Sequence, residues 1–386
     1  MLLQKRPRIP EWDAWREHTM RITAAVVHGT DRSFSLEEVD IEEPRAHEVL
    51  VRIVATGMCH TDLVVRDGGR SSGLPAVLGH EGAGVVEHVG DGVTNVQPGD
   101  HVVLTFASCG RCSNCLRGKG SYCLDLMAHN FTGARPDGTS PLSQDGNVIR
   151  GVFFSQSSFA TYALATEGNV VKVPTDLPLE LLGPLGCGIQ TGAGAVINAL
   201  QPSPGSSLAI FGAGSIGMSA LLAAKIVGCT TIIAVDINND RLRLAIELGA
   251  THTINSKRVD PVEAIRQATC SMGVNYSLEA TGIPHVFRQA VDCLAVLGTC
   301  GVVGVAPVGA EVSLDIFSVL LGRFVRGIVQ GDSVPNLFIP ALLKLYRQGR
   351  FPFDRLVSYY DFDEINKAAM DSEMGITIKP VLRMPV

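Results

Sequence analysis

Hydrophobic and polar positions change their rhythm near the middle of the chain. From Ile22 to about Pro174, short β-type runs such as AAVV and EVLVRIVATG are separated by glycine and proline, which predicts a mostly-β domain. After Leu185 the order becomes strand, glycine-rich turn, helix and strand, as in LAIF–GAGSIG–MSALLAAKIVG–TTIIAVD. This order predicts βαβ units, and therefore an α/β domain built on a doubly wound parallel sheet.

The end of the chain is predicted to return to the β domain. A helical stretch over residues 336–348 leads to the apolar run ITIKPVLRM, which has the character of a strand. The predicted division is a two-segment β domain, a parallel-sheet domain and an N-terminal extension: residues 22–188 with 332–386, residues 189–331, and residues 1–21.

The predicted N-terminal extension holds both tryptophans of the chain, Trp12 and Trp15. Termini are commonly loose, so a flexible extension or a later start at Met20 is one interpretation. An arm whose tryptophans pack on a partner subunit is the other. The sequence does not decide between them.

Composition excludes several classes of function. The 386 residues carry a net charge of -6 and have no basic run, which argues against nucleic-acid binding. Residues 181–224 and 293–310 are uncharged but contain glycine and proline, so they are interpreted as buried parallel strands and not as membrane spans. Residues 1–19 lack the apolar core of a signal peptide. We therefore expect a cytoplasmic protein, with reduced thiols at the cysteines without a ligand pattern: Cys229, Cys270, Cys293 and Cys300.

Four cysteines lie close together in the stretch CGRCSNCLRGKGSYC. Their thiolates can surround one tetrahedral Zn²⁺ and leave no open position, which is the pattern of a structural site without chemistry of its own. The predicted ligands are Cys109, Cys112, Cys115 and Cys123.

A second pattern, GxGxxG, predicts a dinucleotide site because it follows an apolar strand and opens a helix. Gly212 permits the tight turn, Gly214 lets the backbone approach the pyrophosphate, and Gly217 allows the helix to pack closely on the strand. Asp236 ends the next strand, where a carboxylate accepts hydrogen bonds from the ribose and repels a 2′-phosphate. The pattern therefore favours NAD over NADP.

Three further motifs stand apart from one another: GMCHTD, GHEGAG and GCGIQTGAGAV. Together with the four-cysteine stretch and the GxGxxG turn, they occur in the order found in zinc-dependent medium-chain alcohol dehydrogenases. The resemblance runs from about Ile22 to the C-terminus. The segments NFTGARPDGTSPL and FFSQSSFATYAL are most similar to the aryl (benzyl) alcohol dehydrogenase branch. The resemblance implies a GroES-like catalytic domain, a Rossmann domain, NAD and two Zn²⁺ per subunit.

The resemblance also implies a catalytic metal site. Cys59, His80 and Cys187 would hold a second zinc with an open position, where an alcohol loses its proton readily and passes hydride to the nicotinamide. Their spacing alone is too dispersed to predict this.

Neighbours of these ligands acquire roles by position. Thr61 resembles the hydroxyl that accepts the substrate proton, Asp62 the carboxylate that orients an imidazole, and Glu81 an acidic neighbour of the metal. An ordinary polar residue of the surface or core is the alternative for each.

One departure concerns the proton path. Well-known members of the family have a histidine at the position of Val64, which cannot carry a proton. We expect protons to leave through Thr61, the cofactor ribose and water, with His60 as a candidate to assist.

Position matching extends to the cofactor and the substrate. Ile216, Arg241 and Lys379 are expected near the cofactor, with a solvated surface position as the alternative for Arg241 and Lys379. The expected pocket residues near the zinc are Phe106, Phe153 and Phe154, with Thr105 at the border of the same cleft; plain core packing is the alternative for the three phenylalanines.

Benzyl-type alcohols are the expected substrates, allylic terpene alcohols such as geraniol come second, and ethanol is expected to be poor. A glutathione-dependent formaldehyde dehydrogenase and a non-catalytic zinc- and NAD-binding protein remain as alternatives. The segment between Cys123 and Phe153 resembles that of dimeric relatives, so a homodimer is expected, with a tetramer as the alternative.

Overall fold

The computed structural model of the protein describes residues 19–29, 33–68 and 73–385. Residues 1–18, with Trp12 and Trp15, lie outside the described residues, so the two interpretations of the extension stay open. Thr19 to Arg21 were predicted to belong to this extension, but they form the start of the first strand, where Thr19 pairs with Glu42. The Arg21 guanidinium contacts Asp40 at 3.0 Å, so a polar residue extends the strand on its solvent side.

Strands and helices are numbered in chain order. The strands are β1 Thr19–Val27, β2 Ser35–Glu42, β3 Glu48–Gly57, β4 Ala76–Val77, β5 Glu81–Val89, β6 His101–Leu104, β7 Leu142–Gln144, β8 Asn147–Ile149, β9 Tyr162–Thr166, β10 Val170–Lys172, β11 Ser207–Phe211, β12 Thr231–Asp236, β13 His252–Asn255, β14 Val274–Glu279, β15 Leu294–Val302, β16 Phe324–Gly327, β17 Val357–Asp361 and β18 Lys379–Arg383. The helices are α1 His60–Arg66, α2 Ser113–Leu116, α3 Leu126–Asn130, α4 Gly188–Gly194, α5 Ser215–Val227, α6 Asn239–Leu248, α7 Pro261–Ala268, α8 Pro284–Asp292, α9 Ile316–Leu320, α10 Pro335–Arg347 and α11 Ile365–Glu373.

Two sheets build the β domain. One has the order β4-β1-β2-β7-β8, and the other the order β10-β6-β5-β3-β18-β17 with β9 also paired to β3. The run ITIKPVLRM supplies β18, which lies antiparallel to β3 after the whole α/β segment has intervened. The predicted return of the C-terminal run to the β domain is therefore what the chain does.

The third sheet is parallel throughout, with the order β13-β12-β11-β14-β15-β16. Side chains of β11 alternate between two cores, Leu208 and Ile210 in one, Ala209 and Phe211 in the other. Burial on both faces explains why these strands are continuous apolar runs in the sequence. The strand order reverses at β11, between β12 and β14, and a doubly wound sheet binds its ligand at the carboxyl ends of strands at such a point.

The core that contains Leu208 reaches across the two domains. It also includes Ala83 and Val103 of the β domain and the α4 residue Ile189. The β domain is thereby packed against α4 and the parallel sheet. Among the helices of the described ranges, none is both long and apolar enough to cross a membrane.

Candidate active site

Three potential metal ligands come together from three different turns. Cys59 lies between β3 and α1, His80 directly precedes β5, and Cys187 directly precedes α4. Their ligand atoms and a carboxylate oxygen of Glu81 all lie within 4.8 Å of one another. The motifs that are dispersed in sequence therefore form one compact cluster.

Asp62 fixes the orientation of the imidazole. Its Oδ1 accepts hydrogen bonds from His80 Nδ1 at 2.8 Å and from the backbone N–H of Gly79 at 3.1 Å. Its Oδ2 accepts from the backbone N–H of Cys59 at 2.9 Å. Because the carboxylate holds Nδ1, Nε2 is the imidazole nitrogen that faces a ligand.

That nitrogen tests whether a metal fits the cluster. Within the described residues, Nε2 of His80 is buried and has no hydrogen-bond partner, which is a costly arrangement. A hydrogen bond from the Cys187 thiol also holds the pKa of Cys59 well below its usual value, so a thiolate is available. One imidazole nitrogen and two sulfurs are the ligand set of a catalytic zinc with an open position, so the residues present fit that ion.

Glu81 and Lys379 form a buried ion pair against this cluster. The ammonium donates to both carboxylate oxygens at 2.9 Å and to the Met58 carbonyl at 3.1 Å, and both side chains are at most 1% exposed. Burial raises the pKa of Glu81 although the ammonium opposes this. A Cβ on Gly57 would lie 2.1 Å from the carboxylate, so glycine is needed there.

Lys379 is therefore not the solvated surface residue that was the alternative to its predicted cofactor contact. The strand β18 carries it inside the β domain, where the Glu81 charge compensates its own. A Cβ placed on Gly188 would lie 3.3 Å from its Nζ and 3.1 Å from Oγ of Ser215, the first residue of α5. The group of metal ligands formed by Cys59, His80 and Cys187 and the glycine-rich turn are thus neighbours.

Phe154 stacks on the imidazole of His80, with ring centroids 4.4 Å apart and an angle of 23° between the planes. Phe153 packs edge-on against the same imidazole at 5.5 Å, and Phe131 contacts both phenyl rings. Phe154 has a φ of 50°, in the left-handed region that disfavours a large side chain. Its ring is thus held against the metal cluster by the packing around it.

All three predicted pocket phenylalanines are buried. Phe106, Phe153 and Phe154 are 4%, 1% and 5% exposed, and all belong to the core of the β domain. The Thr105 hydroxyl is occupied by the Gly186 carbonyl and the Gln190 amide. Of the three predicted phenylalanines, Phe154 is the one that stacks face-on against a metal ligand.

The predicted proton path begins beside the cluster. Thr61 Oγ1 lies 3.8 Å from Cys59 Sγ at the start of α1. His60 is exposed and has no hydrogen-bond partner within the described ranges, and Val64 is partly buried on the same helix. The structure does not bring His60 into contact with the ligands.

The glycine-rich turn joins β11 to α5. Gly212 has a φ of 95°, and a Cβ on Gly217 would lie 1.9 Å from the Gly212 carbonyl oxygen. A Cβ on Gly214 would meet nothing within 4 Å, so the turn is open on that side. The Ile216 carbonyl lies 2.0 Å from the position of a Cβ on Gly192, which brings α4 and α5 into close contact.

Asp236 ends β12 beside this turn. Its Oδ2 accepts from the backbone N–H of Ala213 at 2.6 Å, and its Oδ1 from those of Ile237 and Asn238. The carboxylate therefore ties the two strand ends together. Arg241 is on the first turn of α6, and its Nε is buried without a partner among the described residues, so it is not a fully solvated side chain either.

The four clustered cysteines form a separate lobe. Their sulfurs lie within 4.8 Å of one another, as a single tetrahedral ion requires. Backbone N–H groups of Leu124 and Cys115 lower the pKa of Cys112 to about 6, so its thiolate is present at neutral pH. The lobe fits a structural zinc.

Comparison with known proteins follows the two halves of the fold. Residues 45–175 match the family described as Alcohol dehydrogenase GroES-like domain, and residues 215–345 match Zinc-binding dehydrogenase. A geraniol dehydrogenase of Castellaniella defragrans is 49% identical over 93% of this chain and 96% of its own length. The chain belongs to the zinc-dependent alcohol dehydrogenase family. Zinc and a nicotinamide dinucleotide are thus its cofactors, and the predicted GroES-like and Rossmann folds are confirmed.

Solved structures of other alcohol dehydrogenases agree. The crystal structure of an alcohol dehydrogenase zinc-binding domain protein from Burkholderia ambifaria is 58% identical, with a TM-score of 0.93 over 95% of this chain and 100% of that one. The crystal structure of benzyl alcohol dehydrogenase from Acinetobacter calcoaceticus is 52% identical, with a TM-score of 0.91 over 95% and 99%.

Sequence reasoning missed one residue at the metal cluster of this alcohol dehydrogenase. The side-chain amide of Gln330 donates to Cys187 Sγ at 3.6 Å. The two residues are far apart in the sequence, and Gln330 belongs to no metal-binding motif. No pattern in the chain could have indicated the contact.

Proposed function

We propose that this alcohol dehydrogenase interconverts aryl, benzyl-type primary alcohols and their aldehydes by hydride transfer with NAD. The observation that carries the proposal is the stacking of Phe154 on His80 at 4.4 Å. An aromatic side chain beside the metal ligands favours a flat apolar substrate. The 52% identity to a benzyl alcohol dehydrogenase supports the same substrate class.

Zinc, when bound by Cys59, His80 and Cys187, supplies a Lewis acid for the alcohol oxygen, and NAD accepts the hydride. Asp62 keeps Nε2 of His80 directed at the metal. We assign the removal of the substrate proton to the hydroxyl of Thr61.

Beyond Thr61 the proton would have to reach water, and a bound cofactor would supply ribose hydroxyls between the two. The exposed His60 is its acceptor at the surface, because Val64 has no group that can carry a proton. The buried Glu81–Lys379 pair holds the turns of the ligands in place.

Allylic terpene alcohols are the second candidate, and the 49% identity to a geraniol dehydrogenase favours them. A slot for a flat aromatic ring also accepts a flat allylic chain. The two substrates differ in length and flexibility, so kinetics can separate them.

The test measures NADH formation from benzyl alcohol, geraniol and ethanol with one zinc-loaded preparation. The proposal expects the highest kcat/KM for benzyl alcohol and the lowest for ethanol, which cannot use the binding energy of the pocket. A higher value for geraniol would assign the enzyme to terpene alcohols. Both assignments would be rejected if the enzyme were active only with formaldehyde and glutathione, or if it were inactive with every alcohol tested.

A matched variant tests the aromatic ring. Phe154→Leu should reduce kcat/KM for benzyl alcohol by roughly fivefold, since a stacking contact contributes about 1 kcal/mol beyond its buried area, and should leave ethanol nearly unchanged. An equal loss for both alcohols would contradict the pocket role of Phe154.

The preference for NAD over NADP rests on Asp236, whose carboxylate would repel a 2′-phosphate. Residues 189–331 are assigned to the cofactor domain, and residues 19–188 with 332–386 to the catalytic domain, which begins with β1. Asp236→Ser should raise the kcat/KM for NADP relative to NAD by roughly tenfold or more, corresponding to about 1.4 kcal/mol. An unchanged ratio would contradict the assignment.

We assign the cytoplasm as the location and a homodimer as the assembly, with β16 as the contact. This strand is the outermost of the parallel sheet, and exposed apolar side chains surround it: Phe317, Leu320 and Phe324 are 65%, 75% and 58% exposed. A sheet edge surrounded by exposed apolar side chains is a site for association. A second copy of the same edge would cover it.

A further inference from the structure

Gln330 contacts the metal cluster with an amide whose orientation is fixed. Its Nε2 donates to Cys187 Sγ at 3.6 Å, and its Oε1 accepts from the Thr191 hydroxyl at 3.3 Å. The backbone N–H of Thr191 in turn donates to the Cys187 carbonyl at 2.9 Å. Because Thr191 occupies the amide oxygen, the NH₂ group faces the sulfur.

The backbone around Gln330 is held in an unusual shape. Gln330, Gly331 and Asp332 have φ values of 50°, 65° and 52°, all in the left-handed region. A Cβ on Gly331 would lie 2.4 Å from the Gln190 carbonyl oxygen, so only glycine allows this close approach to α4. Such a turn persists only when the surrounding structure holds it.

The four-cysteine lobe supplies part of that support. Lys119, which lies between two of its cysteines, donates to both oxygens of the Asp332 carboxylate at 3.0 Å, and this carboxylate is fully buried. Arg326 donates to the same group at 2.5 Å. The Tyr122 hydroxyl of the lobe bridges the Gly327 carbonyl at 3.3 Å and the Val329 N–H at 3.4 Å.

These contacts connect the two metal sites through one segment, residues 327–332. One end of the connection is the structural lobe, and the other is the amide at Cys187. A hydrogen bond to a thiolate favours its charged form and withdraws charge from the sulfur, which changes how strongly the sulfur donates to a metal.

We propose that Gln330 is a positioning residue for Cys187 and that the four-cysteine lobe holds Gln330 in place through Asp332. The inference rests on the proposed catalytic metal site. It gives the structural zinc a second role, the control of a ligand of the catalytic zinc.

The first test uses Co²⁺-substituted protein, because cobalt–thiolate absorption reports directly on the sulfur ligands. Bands lost in Cys187→Ser identify the catalytic site. Gln330→Met, which keeps the side-chain length but has no N–H, should shift these bands and raise the rate of metal loss to a chelator by roughly tenfold or more. The matched control is Gln144→Met, whose amide contacts Glu37 far from the site.

The second test concerns the lobe. Lys119→Met should shift the same bands in the same direction but less, because Arg326 still pairs with Asp332. Lys172→Met is the control, since Lys172 is likewise a half-exposed lysine that pairs with a largely buried aspartate, Asp100. If Gln330→Met fails to fold, Lys119→Met decides the proposal.

Each outcome has a distinct meaning. Wild-type bands and metal-loss rates in Gln330→Met would overturn the positioning role. A shift in Gln330→Met without any in Lys119→Met would overturn the role of the lobe. If the wild-type cobalt protein had no band sensitive to Cys187→Ser, the proposed metal site itself would be wrong, which is a different result from unchanged variants.

Discussion

Asp62 shows how one carboxylate organises a metal site. It receives three hydrogen bonds, from the imidazole of His80 and from the backbone N–H groups of Gly79 and Cys59. Two of the three belong to metal ligands, and the third to the residue before one. The side chain therefore sets the geometry of two ligand-bearing turns at once.

Asp62→Asn tests this arrangement at nearly constant volume. The amide NH₂ would take the place of an oxygen that accepts hydrogen bonds, and it would face an N–H donor. We therefore expect zinc affinity or kcat/KM to fall by roughly 10–100-fold. Zinc content after dialysis against a chelator measures the effect. Asp100→Asn is the control, because Asp100 pairs with Lys172 and belongs to neither metal site, and equal zinc retention in both variants would contradict the role of Asp62.

The buried pair of Lys379 and Glu81 makes a second prediction at this scale. Lys379→Met should lower the free energy of unfolding by about 3–5 kcal/mol, because it leaves an uncompensated buried carboxylate. The double variant with Glu81→Gln should lose less, since no isolated charge remains. Urea denaturation measures both, and an equal loss in single and double variants would argue against a charge effect.

The sequence could predict the ligands Cys59, His80 and Cys187 only through the family resemblance, since their spacing alone is not specific. It could not predict Gln330 or the burial of Lys379. Both depend on which segments meet in space, and side-chain type does not encode that. A lysine near the end of a strand is compatible with the surface until its partner is known.

At the scale of elements, the four-cysteine lobe has little core of its own. Its helix α2 has four residues, none of them buried, and Leu116 is 75% exposed. Burial of apolar surface therefore contributes little to its folding. The metal has to supply most of the stability.

Cys112→Ser should consequently unfold the lobe while the rest of the protein stays folded. A structural zinc contributes roughly 10 kcal/mol or more to its site, so limited proteolysis should cleave within residues 109–123. Cys187→Ser should keep the lobe intact and abolish turnover. Resistance of Cys112→Ser to protease, equal to that of the control Cys270→Ser at an exposed cysteine, would contradict the structural role.

Turns were predictable where glycine is required and unpredictable elsewhere. The turn at Gly212 is indicated by its GxGxxG motif, and the residue has a φ of 95° in the structure. Phe154 and Ser155 have φ values of 50° and 52°, although neither residue favours that region. Hydrogen bonds from Ser155 to the His129 carbonyl and from Ser157 to the Val77 carbonyl hold this loop, and such tertiary contacts leave no local signal.

At the scale of the whole molecule, the proposed homodimer makes a prediction about mass. Phe324→Glu would place a charge at the centre of the β16 surface, so we expect a monomer by size exclusion with light scattering. Val148→Glu is the control, because Val148 is 61% exposed on β8, another outermost strand. A Phe324→Glu dimer would reject β16 as the contact.

The position of β18 has a consequence for how the protein is made. This strand lies between β3 and β17, and it is synthesised only after the entire parallel sheet. During synthesis the parallel sheet of the cofactor domain is therefore complete while the β domain, although most of it is made earlier, still lacks an inner strand. Until that strand arrives, the carboxylate of Glu81 has no Lys379 beside it. The order of synthesis thus means that the buried ion pair beside the metal ligands can form only when the C-terminal strand has been made.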